Sequence, residues 1–342
     1  MDGSGASGDY VTDTLDIGGA TLAGQQFGIG YTSSASEGIL GVGYQLNEVQ
    51  AGRLGKQVYD NVPAKMVTDN LISSNAYSLW LNDLDANTGN ILFGGVDTDQ
   101  FEGTLATLPI QQSGGEYAEF LIALTAVSLG GTTIASDQNV AVLLDSGTSL
   151  TYLPNAITSA IYQAVGAQYD SSQGTAYVPC SFASNTTTLD YTFTSPTISV
   201  TMAELVLDIA GADGQPLYFS NGEQACVFGI SPAGTSTSIL GDTFLRSAYV
   251  VYDLSNNEIS LAQTKFNVTT TNILEIGTGA NAVPSATGVS GAATASGASG
   301  AGSVAGQTAA ASSKSTAAAP LKTAAPLGAV IAVGAALIFA AM

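Results

Sequence analysis

Short apolar runs that alternate with polar residues and break at glycine, asparagine or aspartate fill the chain from Asp2 to about Val268. TLDIGGATL (14–22), SLWLNDLDANTGNILFGGVD (78–97) and AVSLGGTTIA (126–135) each read as strand, turn, strand. Helical spacing is confined to AKMVTDNLISS (64–74) and LPNAITSAIYQAVGAQY (153–169), the second opening after Pro154 with alanine-rich sequence. The pattern therefore predicts a mainly β protein. One strand breaks the alternation: AVLL (141–144) is apolar on both faces and runs directly into Asp145-Ser146-Gly147. Asp-Ser-Gly by itself is an ordinary turn. At the end of a buried strand, with Gly147 permitting close backbone approach and Ser146 and Thr148 supplying hydroxyls, it can hold a carboxylate in a fixed direction.

The pattern stops near Asn272, where Ala, Ser, Gly and Thr replace the large apolar residues until Leu321. Such composition cannot bury enough surface to fold and predicts a stalk. PLGAVIAVGAALIFAAM (326–342) closes the chain without a basic flank. Small residues around Ala311, Ser312 and Ser313 and a spacer holding Lys314 and Lys322 complete the pattern of a cleaved glycolipid-anchor signal, the alternative being a short tail-anchored helix. Either one attaches the protein to a membrane through its C-terminus and places it in the secretory pathway, at the plasma membrane or cell wall. MDGSGASGDY has neither a basic nor an apolar leader region, so the expectation is that this sequence lacks its N-terminal portion.

Composition narrows the chemistry. With 342 residues, 45% of them hydrophobic, the chain has material for two domains and a tail. The balance of 27 acidic to 7 basic residues, a net charge of −20, excludes nucleic acid as a partner and suits acidic surroundings. There is no histidine, which removes Ser-His-Asp and Cys-His catalysis and most zinc sites, so no metal or other cofactor is expected. What remains is carboxylate chemistry. Cys180 and Cys226 enclose a loop suited to a structural disulfide, or are a pair of buried thiols, and Asn185 and Asn267 begin N-glycosylation sequons.

AVLLDSGTSLTYLP (141–154) resembles the second active-site segment of the pepsin-like aspartic peptidases. SILGDTFLR (238–246) resembles that family's late apolar-apolar-Gly segment, VVYDLSNNEISLA (250–262) its closing strands, EGILGVGY (37–44) the corresponding N-terminal-lobe segment, and FGGVD (93–97) the strand leading out of it. The likeness covers nearly all of 2–268 and is closest to the fungal yapsin or candidapepsin-like, glycolipid-anchored type. It implies a bilobal acid-protease fold with an incomplete N-terminal lobe over 1–108, a C-terminal lobe over 109–268, the stalk over 269–325 and the anchor signal over 326–342. It also implies a Cys180–Cys226 disulfide.

The resemblance assigns Asp145 as a catalytic carboxylate, Gly147 and Thr148 as substrate-side contacts with Thr148 orienting Asp145, and Ser146 as support between the lobes. DGSGASGDY (2–10) resembles the hairpin flap over the substrate, with Asp2 and Gly3 at its tip. Asp242 is expected to be structural, while Tyr152 and Leu153 either line a pocket or pack. The family mechanism needs a second aspartate, and no second apolar-apolar-Asp-Thr/Ser-Gly occurs. Ile239 follows Asp145 by 94 positions; equal spacing in a duplicated lobe puts the counterpart of Asp145 about 55 positions before Met1. The expectation is a monomeric aspartic endopeptidase acting on protein or peptide substrates at acid pH. The alternative is a non-catalytic surface-binding or wall-structural protein that keeps the fold.

Overall fold

The computed structural model describes residues 5–34, 37–53, 55–211 and 214–295. It opens with one long hairpin, β1 (Ala6–Ile17) and β2 (Ala20–Ser33), joined by Gly18 and Gly19. Both glycines have positive φ, 57° and 84°, which a tight hairpin turn with the twist of its strands requires. The hairpin pairs with no other strand, and its burial is nearly all exposed except at Leu22 and Gln25. Of the stretch read as a flap hairpin, residues 6–10 belong to β1, and Asp2 and Gly3 fall outside the described residues.

Helix α1 (Val62–Thr68) starts at Asn61, whose side chain meets the Ala64 amide, with Pro63 in the first turn. It buries Val62 and Met66 against Leu22. β3 (Ala76–Trp80), β4 (Asn90–Phe93), β5 (Gly95–Asp97) and β6 (Leu105–Pro109) follow. A six-stranded sheet then joins the two ends of the fold. Its order is 286–288, β6, 258–263, 248–253, β3, β4, so strands from early and late sequence are combined in it. The strand Ala248–Asp253 is buried at every position, as a central strand covered on both faces must be.

The C-terminal lobe holds β7 (Leu121–Leu124), β8 (Ala126–Leu129), β9 (Thr132–Ala135), β10 (Val140–Leu144) and β11 (Thr151–Leu153). Helix α2 (Asn155–Val165) then buries Ile157 and Ile161 and stops at Gly166 in the left-handed region. Glu204 and Arg246, 3% and 9% exposed, pair inside this lobe through Arg246 Nε and Glu204 Oε2 at 2.5 Å, and the Leu84 amide donates to the other Glu204 oxygen.

Part of the expected stalk, from 269, is folded onto the sheets. Ile273–Glu275 pairs with β5, Ala286–Gly288 pairs with β6, and Ile276 and Val283 enter a core with Trp80 and Tyr249. A few apolar residues in an otherwise polar stretch suffice, because the sheets offer edges to receive the strands. The anchor signal at 326–342 lies outside the described residues; among those described, no helix is long and apolar enough to cross a membrane.

Candidate active site

Asp145 owes its position to an unusual strand order. In the sheet Ile230–Pro232, β11, Ser238–Leu240, β10, β7, the strand 238–240 is inserted between β10 and β11. It runs parallel to β10, with Leu144 opposite Leu240, and the loop 145–150 must cross its end. Gly241 stands at that crossing. A Cβ there would lie 2.1 Å from the Thr148 carbonyl oxygen and 2.4 Å from that of Leu150, so no larger residue fits. The Asp145 amide donates to the Leu240 carbonyl at 3.2 Å, and the Asp242 and Thr243 amides donate back to Thr148 and Ser149. Thr243 Oγ1 then joins Thr151 Oγ1 and the Gly229 carbonyl at 3.0 Å each. The loop is thus sewn to the sheet from both sides.

Within it, the Gly147 amide donates to Asp145 Oδ1 at 2.9 Å and Thr148 Oγ1 to Oδ2 at 2.6 Å. Each carboxylate oxygen has its own donor, so the group is fixed in plane and direction while remaining half-buried. Gly147 is exposed and Ser146 half-buried on the same turn. A carboxylate so held can take a proton from water, and a second carboxyl facing it would share that proton.

Asp242 is buried next to the Asp145 loop. Burial pushes its carboxyl up to about 7; the Arg246 guanidinium opposes this and the charge of Asp145 adds to it. Thr148 links the two aspartates, its hydroxyl on Asp145 and its carbonyl on the Asp242 amide. No local signal shows this, because only the crossing at Gly241 brings the two segments together. Leu153 is core, and Tyr152 packs half-buried with Leu150, Val227 and Leu84.

Cys180 and Cys226 form the disulfide. Asp208 lies beside them, but their sulfurs are bonded to each other and offer no thiolate for a metal. Asn185 is exposed, with its carboxamide oxygen accepting the Thr187 amide. Asn267 differs: its carboxamide nitrogen donates to Asp83 Oδ2 at 2.5 Å and its backbone amide to Asn82 Oδ1, which ties this sequon to the loop after β3.

A shared central sheet flanked by β layers, with an Asp-Ser-Gly loop threaded over a glycine, defines the class as a bilobal, pepsin-like acid protease. The comparisons agree. The family model for eukaryotic aspartyl protease matches residues 1–264, and the chain belongs to that family. It is 61% identical over 292 residues to "Probable aspartic-type endopeptidase opsB" of Aspergillus oryzae, covering 84% of this chain and 59% of the relative. It is 39% identical over 266 residues to "Secreted aspartic protease 8" of Candida albicans, covering 78% and 58%. The crystal structure of an aspartic proteinase from Irpex lacteus shares the fold at a TM-score of 0.63 and 24% identity, over 79% of this chain and 85% of that one. The chain spans about three fifths of the length of the curated relatives it matches.

Proposed function

We propose that Asp145 is one of two carboxylates in an endopeptidase that hydrolyses protein or peptide substrates at acid pH, with the second carboxylate supplied by polypeptide beyond residues 1–342. The observation that carries this reading is the Asp145 carboxylate itself, oriented by Gly147 and Thr148 on a loop that Gly241 alone permits. One carboxyl, kept protonated, polarises the scissile carbonyl; the other accepts a proton from the attacking water; the pair titrates as a unit. Gly147 offers its exposed backbone to the substrate, and Ser146 supports the junction between the lobes.

The reading extends to the fungal yapsin or candidapepsin-like type, a monomer held at the cell surface by the anchor signal at 326–342. Sequence supports that location through the tail composition and the sequon at Asn185. The alternative, a non-catalytic surface protein, draws on the single Asp-Ser-Gly loop in these residues. The full-length protein decides between them: peptide cleavage with a bell-shaped pH profile near about pH 4, blocked by pepstatin and abolished by Asp145→Asn, supports the peptidase. Stable peptide binding without turnover supports the alternative.

A further inference from the structure

Three segments meet behind the Asp145 loop, and a pair of buried hydroxyls joins them. Thr151 opens β11, where the loop returns to the sheet; Gly229 lies between the strands Gln224–Phe228 and Ile230–Pro232; Thr243 stands in the helical turn Asp242–Leu245 that follows the crossing. Thr151 and Thr243 are both fully buried. Thr243 Oγ1 is 3.0 Å from Thr151 Oγ1 and 3.0 Å from the Gly229 carbonyl oxygen, which also accepts the Thr151 amide at 3.0 Å. A carbonyl can only accept, so the single Thr243 proton goes to Gly229 and the Thr151 hydroxyl supplies the proton between the two threonines.

The backbone is shaped to this contact. A Cβ on Gly229 would lie 2.6 Å from Thr243 Cγ2 and 3.2 Å from the Leu205 carbonyl oxygen, so glycine leaves the room that the threonine methyl fills. Valine at 243 has the same outline and would fill that room without a hydroxyl to strip of water. The hydroxyl therefore serves direction: a satisfied buried polar contact holds one arrangement where apolar contact tolerates several. That direction reaches Asp145 in short steps. The Thr243 amide donates to the Ser149 carbonyl at 3.2 Å, the Asp242 amide donates to that of Thr148 at 2.8 Å, and Thr148 Oγ1 donates to Asp145 Oδ2 at 2.6 Å.

We propose that Thr243 is a positioning residue of the peptidase site: its hydroxyl, shared with Thr151 and the Gly229 carbonyl, fixes where the loop 145–150 re-enters the sheet and so where the Asp145 carboxylate points. The inference rests on the reading of Asp145 as a catalytic carboxylate. The attacking water must lie within hydrogen-bond reach of that carboxylate, and a misplacement of about 1 Å can cost about a hundredfold in rate. Thr243 is fully buried and offers no surface to a substrate, so its loss falls on kcat and not on KM.

The test is Thr243→Val and Thr243→Ser in the full-length protein, with kcat and KM measured on a peptide substrate at acid pH, well below the thermal midpoint of each variant. Valine keeps the outline and removes the hydroxyl; serine keeps the hydroxyl and removes the methyl. The expected result for Thr243→Val is a fall in kcat of about tenfold, the worth of one hydrogen bond, with KM within about twofold, while Thr243→Ser stays within about twofold in both. Thr151→Val removes the same contact from the other side and should match Thr243→Val, so either decides the matter should the other fail to fold. The double valine variant should lose no more than either alone. Unchanged kcat in the valine variants, a serine variant that loses as much as the valine, or losses that multiply in the double variant overturns the role of Thr243 while leaving the peptidase reading intact. Absence of acid-dependent turnover in the unsubstituted full-length protein overturns both.

Discussion

The hairpin β1–β2 pairs neighbours in sequence while the sheet around Asp145 sets Leu144 opposite Leu240, and the two end in opposite conditions. Around Asp145, five strands close on one another, and Leu144, Leu153, Ile230 and Leu240 are fully buried. The hairpin pairs with no other strand, and Tyr10, Phe27, Ile29 and Tyr31 are exposed, Tyr31 to 71%. Nine of the thirteen exposed large hydrophobics among the described residues lie between Tyr10 and Leu71. A two-stranded ribbon is marginal in water, and exposed apolar area of this kind marks a face built to be covered. The difference teaches that the sheet around Asp145 closes into a core of its own, whereas the hairpin β1–β2 leaves most of its apolar side chains exposed.

The largest expected effect falls on chemistry. Asp145→Asn in the full-length protein should lower kcat by roughly a thousandfold or more while the thermal midpoint changes little, since the amide keeps the shape of the turn. Two ion pairs sharpen the contrast in stability. Arg246→Ala leaves Glu204 buried without its partner and should cost about 3–5 kcal/mol in denaturant unfolding. Lys65→Ala removes the i,i+4 pair with Asp69 on α1 and should cost only about 0.3–0.5 kcal/mol. If the two losses prove equal, the C-terminal lobe is not the better-formed half.

Between these lies the disulfide. Replacing Cys180 and Cys226 by serine opens a loop spanning 46 residues and should cost roughly 3–4 kcal/mol, read as a lowered midpoint of the C-terminal lobe.

A smaller, graded effect follows pH, and both halves contribute. Asp242 is raised to about 7, and burial pushes Glu48 up to about 7 as well, against the pull of the Tyr59 amide and with Asp60 adding. A raised carboxyl means that the folded chain holds its proton more tightly than the unfolded one. Stability is therefore fully present below about pH 4 and is lost as pH rises toward 7. Asp242→Asn and Glu48→Gln should each flatten that decline in a series of urea melts; an unchanged slope would show that neither carboxyl is buried as described. Smallest of all, Tyr31→Thr on the open hairpin should change the stability of residues 1–342 by less than about 0.5 kcal/mol, because the ring is mostly exposed and its one hydrogen bond, to Asp9, is on the surface.

Local chemistry made the turns and the Asp145 loop readable. Gly18-Gly19 and Gly130-Gly131 mark hairpins because only positive φ closes them, Pro154 and Gly166 bracket α2, and AVLL ending in Asp-Ser-Gly announces a buried strand that aims a carboxylate. What stayed hidden depends on partners distant in sequence. Asp242 approaches the Asp145 loop only through the strand crossing. The side-chain nitrogen of Asn267 is engaged by Asp83, which no sequon reveals. The strands at 273–275 and 286–288 are masked by their small-residue neighbours, since three residues that add to an existing edge need no pattern of their own.

The most direct test compares peptide cleavage at about pH 4 by residues 1–342 alone with cleavage by the full-length protein. The account predicts turnover from the full-length protein only, because Asp-Thr/Ser-Gly occurs once in this sequence, at Asp145. Pepstatin-sensitive turnover by residues 1–342 alone would contradict it.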